Sequence, residues 1–164
     1  MTKYISFFLL CLVVAGCKPT EKKSGKPYVI FHTSECFGFC PTYHLEVSDN
    51  QSMRLYAQQV YRVDTIYQPD PAKTGYFYGT VSDSLYDQLN NELTQVGIDT
   101  IHFDESTCCD GQVITLIVYR NGRRIYLQSM FPPAKAYKLI AILFQICKTT
   151  PVVRTYDPFT IEGP

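Results

Sequence analysis

The sequence predicts an α+β domain in which two helices pack on an antiparallel sheet of about five to seven strands. Several short segments alternate apolar and polar residues, as strands with one buried face do, and they lie on both sides of a longer segment with helical spacing. A second helical pattern follows the last of them. Residues 27–164 have the length of one ordinary domain, so we expect a single core.

The strands of the first half are predicted from alternation and from turn residues. A polar turn at 48–51 separates two of them, and a loop containing Pro69, Pro71 and Gly75 separates two others. This succession is typical of an antiparallel meander. The candidate strands are residues 28–33, 42–47, 53–57, 60–66 and 76–81.

Two helices are predicted from apolar residues at helical spacing. Ser82 is suited to cap the first helix, which runs to about Val96 and stops at Gly97. The second helix is expected at about 134–148, and Pro151 ends it. Each helix presents an apolar stripe, which is the surface that a helix buries against a sheet.

A β-hairpin is predicted between the two helices. Residues 113–119 and 124–128 have the pattern of strands, and Asn121-Gly122 lies in the connection. Asn-Gly is the preferred pair for a type I′ turn, because both central positions need a positive φ. The two segments are therefore expected to pair directly.

The N-terminus resembles the signal of an exported bacterial lipoprotein. Lys3 precedes an apolar run from Ile5 to Ala15, which is too short for a helix across the bilayer, since that needs about 20 residues. Val14-Ala15-Gly16-Cys17 is similar to a lipobox, which implies cleavage before Cys17 and attachment of lipid, including palmitate, to Cys17. The expected parts are a removed signal peptide at 1–16, the lipidated cysteine and a flexible tether at 17–26, and a domain at 27–164.

Charge and the anchor limit the location and the partners. The formal net charge is zero, but Lys3 and the lysine-rich tether hold much of the positive charge, so the domain itself is acidic. An acidic domain argues against nucleic acid as a partner. We expect a location in the cell envelope, with the membrane bound through the lipid on Cys17 and an envelope protein as partner. Lys18 is not the aspartate that favours inner-membrane retention in well-studied Gram-negative systems, which predicts the outer membrane.

Four cysteines lie in two loops of the expected domain, as the pairs Cys36/Cys40 and Cys108/Cys109. In an oxidising compartment all four are disulfide candidates. A bridge between adjacent cysteines would need a strained ring, because bridged Cα atoms normally lie farther apart than neighbouring residues do. Two arrangements stay open: two bridges between the loops, or a local bridge in the first pair with the second pair left over. Cys147, on the second helix, is expected to be a small core residue.

The competing interpretation is that the cysteines of these loops are functional, in thiol–disulfide exchange, in a metal site or in catalysis. Thiol–disulfide exchange normally uses cysteines two residues apart at the start of a helix, whereas the first pair has three residues between and Pro41 leads into a strand. A zinc site would combine the cysteines with His32, His44 or His102, at an unusual spacing. A catalytic cysteine would need a base, and the first two histidines lie in strand patterns where a sheet-surface role is ordinary.

The segment from Cys36 to Tyr43 resembles the signature C-x-G-x-C-P-x-Y of a domain-of-unknown-function family, common among bacterial exported proteins and lipoproteins. The positions that match are Cys36, Gly38, Cys40, Pro41 and Tyr43. The resemblance extends in element order over about residues 28–150, and it implies no established activity or substrate.

The motif has a structural explanation that needs no catalysis. Gly38 can adopt a positive φ that closes a tight loop. Pro41 restricts Cys40 to extended geometry and begins the strand. Phe37 and Phe39 either cap the core or form an exposed contact patch.

No P-loop, HExxH, GxSxG, SxxK or GxGxxG motif occurs in the chain. We therefore assign no catalytic residue, no metal ligand and no cofactor, and we interpret the domain as a non-enzymatic binding module braced by disulfides. The alternative is a thiol–disulfide or metal-dependent envelope protein that uses the Cys36/Cys40 and Cys108/Cys109 loops.

Overall fold

The computed structural model describes residues 25–62, 68–105 and 108–163. Within these ranges the chain forms a seven-stranded open sheet and two α-helices, and all named strand pairs are antiparallel. The predicted α+β class and the upper end of the predicted strand number are confirmed. The elements are β1 Pro27–Thr33, β2 Thr42–Ser48, β3 Ser52–Gln59, β4 Gly75–Thr80, α1 Asp83–Gln95, β5 Ile114–Arg120, β6 Arg123–Ser129, a 3₁₀ turn Ala134–Ala136, α2 Tyr137–Thr149 and β7 Val152–Thr155.

The sheet has the order β6-β5-β1-β2-β3-β4-β7, so the strand nearest the N-terminus lies close to its middle. The consecutive strands β1 to β4 form the predicted meander. The β5–β6 hairpin then adds to the free side of β1, and β7 adds to the free side of β4. The expected signal peptide and Cys17 lie outside the described residues.

One strand prediction is wrong in its described part. Residues 60–62 were expected to begin a strand, but Tyr61 forms only an isolated bridge with Pro69. The reason is local pairing: Arg62 N donates to Gln68 O at 3.1 Å, and Asp70 N donates to the carbonyl oxygen of Val60 at 2.6 Å. The backbone therefore bonds to the other end of its own loop and not to the sheet. The rest of that prediction, residues 63–66, lies outside the described residues.

Strand β7 was not predicted. It is four residues long, and its two valines are exposed, Val153 by 74%. A short edge strand without alternating burial gives no periodic signal in the sequence. It pairs with β4 through four register partners, from Tyr76↔Thr155 to Gly79↔Val152.

The ends of α1 and the turn between β5 and β6 follow the predicted local chemistry. Ser82 caps α1, with its side chain accepting from Leu85 N, and Gly97 after the helix has a φ of +65°. Asn121 and Gly122 have φ values of +53° and +71°, the positive pair that a type I′ turn requires. Both predictions are confirmed.

The core is one large cluster of buried apolar side chains. It contains residues from one face of the sheet together with residues from both helices. Phe31 in β1 is fully buried, and its ring meets that of Phe144 in α2 edge-on, with centroids 5.2 Å apart. Cys147 is buried in the same cluster, as predicted. The other members of the cluster from the two helices are Leu89 and Leu93 of α1 and Leu139, Ile142, Leu143 and Ile146 of α2.

Candidate functional site

The loop between β1 and β2 carries the family-like motif, and a disulfide closes it. Cys36 and Cys40 are bonded, with an S–S distance of 2.03 Å and Cα atoms 5.8 Å apart. Gly38, at the centre of the bridged segment, has a φ of +148°, a backbone conformation that residues other than glycine rarely adopt. Strand β2 begins directly after Pro41. Of the two arrangements left open by the sequence, the structure contains the local bridge.

The second cysteine loop lies against the first. Phe37 N donates to the carbonyl oxygen of Asp110 at 3.0 Å, and Ser34 N donates to that of Val113 at the same distance. Gln112 Nε2 donates to the carbonyl oxygens of Ser34 and Pro41, at 2.8 Å each. Because one glutamine side chain bonds both ends of the first loop, residues 34–41 and 108–113 form one unit at this end of the sheet. We call this unit the cysteine-loop region.

The second cysteine pair is reduced and exposed. Cys108 and Cys109 are free thiols whose sulfur atoms lie 2.7 Å apart, and Cys109 has a φ of +60°. The hydrogen bond between the two thiols raises the pKa of Cys108. Reactive cysteines in enzymes typically have a lowered pKa, and the shift at Cys108 has the opposite direction.

The two phenylalanines of the motif have different environments. Phe37 is 88% exposed, at the tip of the disulfide-closed loop. Phe39 is 45% exposed and packs edge-on against Tyr61, with centroids 5.1 Å apart. Phe37 is therefore an outward-facing aromatic side chain, and its own backbone N–H is bonded across to the second loop.

A pocket of about 470 Å³ opens beside the motif. Phe39, Pro41 and Tyr43 line one part of it, and Cys147 and Lys148 from α2 line another. Tyr43 is only 4% exposed, so this wall is poorly hydrated, and burial raises the pKa of Tyr43 to about 12. The motif thus contributes both the exposed loop tip and a wall of an apolar pocket.

The face of the sheet opposite the core is crossed by the C-terminal tail, which we define as residues 156–163. Phe159 packs on Tyr76 and Tyr78, with ring centroids 5.1 Å away in each case. The guanidinium of Arg54 lies 5.2 Å from the centre of the same ring. These contacts hold the Phe159 side chain against β3 and β4.

The last part of the tail lies over β1 and β5. Ile161 is buried with Ile30 and Ile117 in a small second cluster. The Glu162 carboxylate accepts hydrogen bonds from Tyr119 and, at 2.8 Å, from Arg124 Nε. The hydrogen bond from Tyr119, with help from Arg124, lowers the pKa of Glu162. The tail therefore has an aromatic, an aliphatic and an acidic contact on this face.

Two of the three histidines meet beneath the tail. His32 in β1 and His44 in β2 are register partners, and their Nδ1 atoms lie 2.7 Å apart. His32 is only 4% exposed, and this burial lowers its pKa. His102, by contrast, is exposed. Sequence reasoning placed the first two on the sheet surface but missed that they pair and that the tail contacts His32.

Sequence symmetry would have revealed this pair. His32 and His44 are equidistant from Gly38, and so are Cys36 and Cys40. In an antiparallel hairpin centred on Gly38, residues at equal distances from the centre lie opposite each other. The disulfide and the histidine pair follow from the same register.

Two general properties of the described residues bear on function. No helix within residues 25–62, 68–105 and 108–163 is long and apolar enough to cross a membrane. In the same ranges, there is no group of three or more histidine, cysteine, aspartate or glutamate side chains that could hold a metal ion.

The chain matches the model of a known protein family. A family described as "Domain of unknown function (DUF6438)" matches residues 27–146, a range that contains the cysteine-loop region and both histidines of the pair. No curated protein matches the chain.

Proposed function

We propose that this chain, which belongs to the DUF6438 family of domains of unknown function, is a lipid-anchored lipoprotein of the cell envelope whose domain binds a partner protein through the cysteine-loop region. The anchor rests on the sequence of residues 1–17, with lipid including palmitate on Cys17. Residues 17–26 would be the tether, residues 27–164 the domain, and the outer membrane its location. We also propose that both helices pack on the sheet face that contains Phe31.

The exposure of Phe37 is the observation that supports binding. An aromatic side chain that is 88% exposed contributes nothing to the core, and aromatic residues are enriched among the side chains that dominate protein interfaces. The loop that carries it is closed by the Cys36–Cys40 disulfide and bonded to Asp110. A loop held in one conformation loses little entropy when it binds, which favours affinity.

The charge around Phe37 favours a protein over a lipid surface as the partner. Glu35, Glu105 and Asp110 are exposed in the same two loops. Anionic headgroups would repel these carboxylates, whereas a protein pocket with a basic rim would attract them. The proposed partner is therefore an envelope protein with an apolar pocket for Phe37 and lysine or arginine at its edge.

The anchor is tested by substituting the acceptor cysteine. The full chain should incorporate labelled palmitate and sediment with membranes, and Cys17→Ser should do neither. Cys11→Ser, which changes a cysteine inside the expected signal peptide, is the matched control and should behave as the wild type. Palmitate on Cys17→Ser, or none on the wild type, would remove the anchor from the proposal.

Binding is tested with a photo-crosslinking amino acid placed at residue 37 of the full chain in the bacterium that makes it. The control places it at residue 156, since Tyr156 is 90% exposed on another part of the molecule. We expect a discrete protein adduct from position 37 alone, which excess wild-type chain suppresses and excess Phe37→Ser chain does not. The same adducts from both positions, or equal suppression by both chains, would contradict the proposal.

Thiol chemistry at the same loops is the second candidate. One observation favours it: the exposed Cys108 and Cys109 thiols lie in a loop that is hydrogen-bonded to the disulfide-containing loop. The raised pKa of Cys108 speaks against it, because exchange requires a thiolate. If Cys108→Ser/Cys109→Ser abolishes a function that Phe37→Ser leaves intact, thiol chemistry replaces binding as the explanation.

A further inference from the structure

The geometry points to a metal site that is independent of the proposed function: the Nδ1 atoms of His32 and His44 form a two-imidazole site for a first-row transition-metal dication of the class that prefers nitrogen ligands, Ni²⁺, Cu²⁺ or Zn²⁺. The two residues face each other across β1 and β2. Their Nδ1 atoms are 2.7 Å apart, and the ring planes are inclined at 61°. The rings therefore meet edge to edge through nitrogen.

The outer nitrogen of each ring fixes its tautomer. His32 Nε2 lies 2.7 Å from the carbonyl oxygen of Glu162, which can only accept, so this nitrogen carries hydrogen. His44 Nε2 lies 3.2 Å from Gln58 Oε1. Gln58 Nε2 donates to the carboxylate of Glu35 at 3.4 Å, an arrangement that turns the amide oxygen toward His44. Both Nε2 atoms are thus donors.

It follows that two nitrogen lone pairs point at one another. A neutral imidazole carries a single N–H, so with hydrogen on Nε2 each Nδ1 is an acceptor. Two acceptors at 2.7 Å repel each other unless a cation lies between them. That cation is either one shared proton or a metal ion, and the experiment below separates the two.

The separation needs little change to hold a metal. With metal–nitrogen bonds of about 2.0–2.1 Å and ligand angles between square and tetrahedral, the two nitrogens would lie about 2.8–3.4 Å apart. The Nδ1 atoms, which lie 2.7 Å apart, would therefore have to separate by about 0.1–0.7 Å. Metal-ligating histidines typically donate the other N–H to a carbonyl or carboxylate, as both rings do here.

The surroundings hold the rings in place without competing for the ion. Tyr56 stacks on the His44 ring at 5.5 Å and 14°, and Tyr76 stacks on Tyr56 at 4.4 Å. The nearby carboxylate of Glu46 is paired with Arg54 at 2.6 Å, and that of Glu162 bonds Arg124. The protein thus supplies two ligands, and solvent completes the coordination.

The test uses the full chain in detergent, with no polyhistidine tag and with the exposed thiols of Cys108 and Cys109 alkylated, because thiolates also bind these metals. Cu²⁺ is the probe, followed by calorimetry and by electron paramagnetic resonance, which reports nitrogen coordination. The variants are His32→Gln and His44→Gln. His102→Gln is the matched control, since it removes the exposed third histidine.

We expect one Cu²⁺ per chain with nitrogen ligands in the wild type and in His102→Gln, and a loss of affinity of about tenfold or more in the other two variants. No binding in the wild type means that the pair holds a proton only, which overturns the proposal. Unchanged binding in His32→Gln and His44→Gln overturns it too.

The test does not depend on correct folding of His32→Gln, because two less buried residues can be changed as well. His32 is buried, but His44 is partly exposed, and Gln58 is exposed. Gln58→Ala leaves both ligands in place and removes the acceptor of His44 Nε2. It should weaken Cu²⁺ binding by about tenfold, a change that a site elsewhere would not show.

Discussion

Among single residues, the cysteines show how strongly the surroundings decide reactivity. Cys147 is buried in the core cluster, and this burial raises the pKa of its thiol. Cys108 and Cys109 have no such cover, since both are exposed. Cys36 and Cys40 are joined and have no free thiol. A thiol reagent therefore meets three different kinds of cysteine in the domain.

The first prediction concerns the accessible thiols. In native full chain purified without reductant, iodoacetamide should modify Cys108 and Cys109, and Cys147 only after denaturation, because a buried thiol has neither access nor thiolate. Peptide mass spectrometry identifies the sites. Labelling of Cys147 at the rate of the exposed pair, or a Cys108 bridged to the first loop, would contradict this arrangement.

The second prediction concerns the centre of the core. Phe31 is fully buried and meets the ring of Phe144, so Phe31→Ala leaves a cavity and should lower the free energy of unfolding by about 3–5 kcal/mol. Phe131→Ala is the control, because Phe131 is 56% exposed and its loss should cost within about 0.5 kcal/mol. Urea titrations followed by circular dichroism measure both. Equal effects would mean that Phe31 is not in the core.

Among the elements, the β1–β2 hairpin organises both candidate sites. Its register places Cys36 with Cys40 in the connecting loop and His32 with His44 in the strands. Since side chains alternate between the faces of a strand, Phe31 then points into the core while His32 points to the tail-covered face. A slip of one residue would exchange these environments.

The third prediction tests the disulfide as part of this element. Cys36→Ser/Cys40→Ser removes a bridge with a sequence separation of four, which should cost about 2 kcal/mol, because short loops gain little from closure. The matched control is Cys108→Ser/Cys109→Ser, which changes an exposed, unbridged pair and should cost about 0.5 kcal/mol or less. Thermal unfolding under non-reducing conditions compares them. A larger loss from the control would place the structural bridge elsewhere.

At the scale of the molecule, side chains on the two faces of the sheet belong to different clusters. One face shares the main core cluster with both helices, and the tail crosses the other. The tail joins distant strands, since Phe159 contacts Tyr76 on β4 while Glu162 bonds Arg124 on β6. It therefore connects the two halves of the sheet.

The fourth prediction concerns the tail. Phe159→Ala removes its aromatic contacts with Tyr76, Tyr78 and Arg54, so carboxypeptidase should release the C-terminal residues several times faster than from the wild type. Tyr156→Ala is the control, because Tyr156 is 90% exposed and its removal should leave the rate unchanged. Mass spectrometry of the shortened chains gives the rates. Identical rates for all three chains would show that Phe159 does not hold the tail.

The amino-acid sequence by itself determined the features that depend on neighbouring residues. The cap at Ser82, the stop at Gly97 and the turn at Asn121-Gly122 each arise from the conformational preferences of one or two residues. The alternation of Tyr43, Leu45 and Val47 with polar residues identified β2, although the strand is largely buried on both of its faces. Local preference and periodicity suffice for such elements.

Only the tertiary structure decided which distant groups meet. Sequence spacing left the cysteine pairing open, and the fold joined Cys36 to Cys40 while leaving the second pair exposed. It also brought Glu162 to His32 across 130 residues of chain, a contact that leaves no trace in either local sequence. The physical reason is that such contacts depend on strand order and on chain path over a face, which are set by the burial of the whole core and not by the residues that meet.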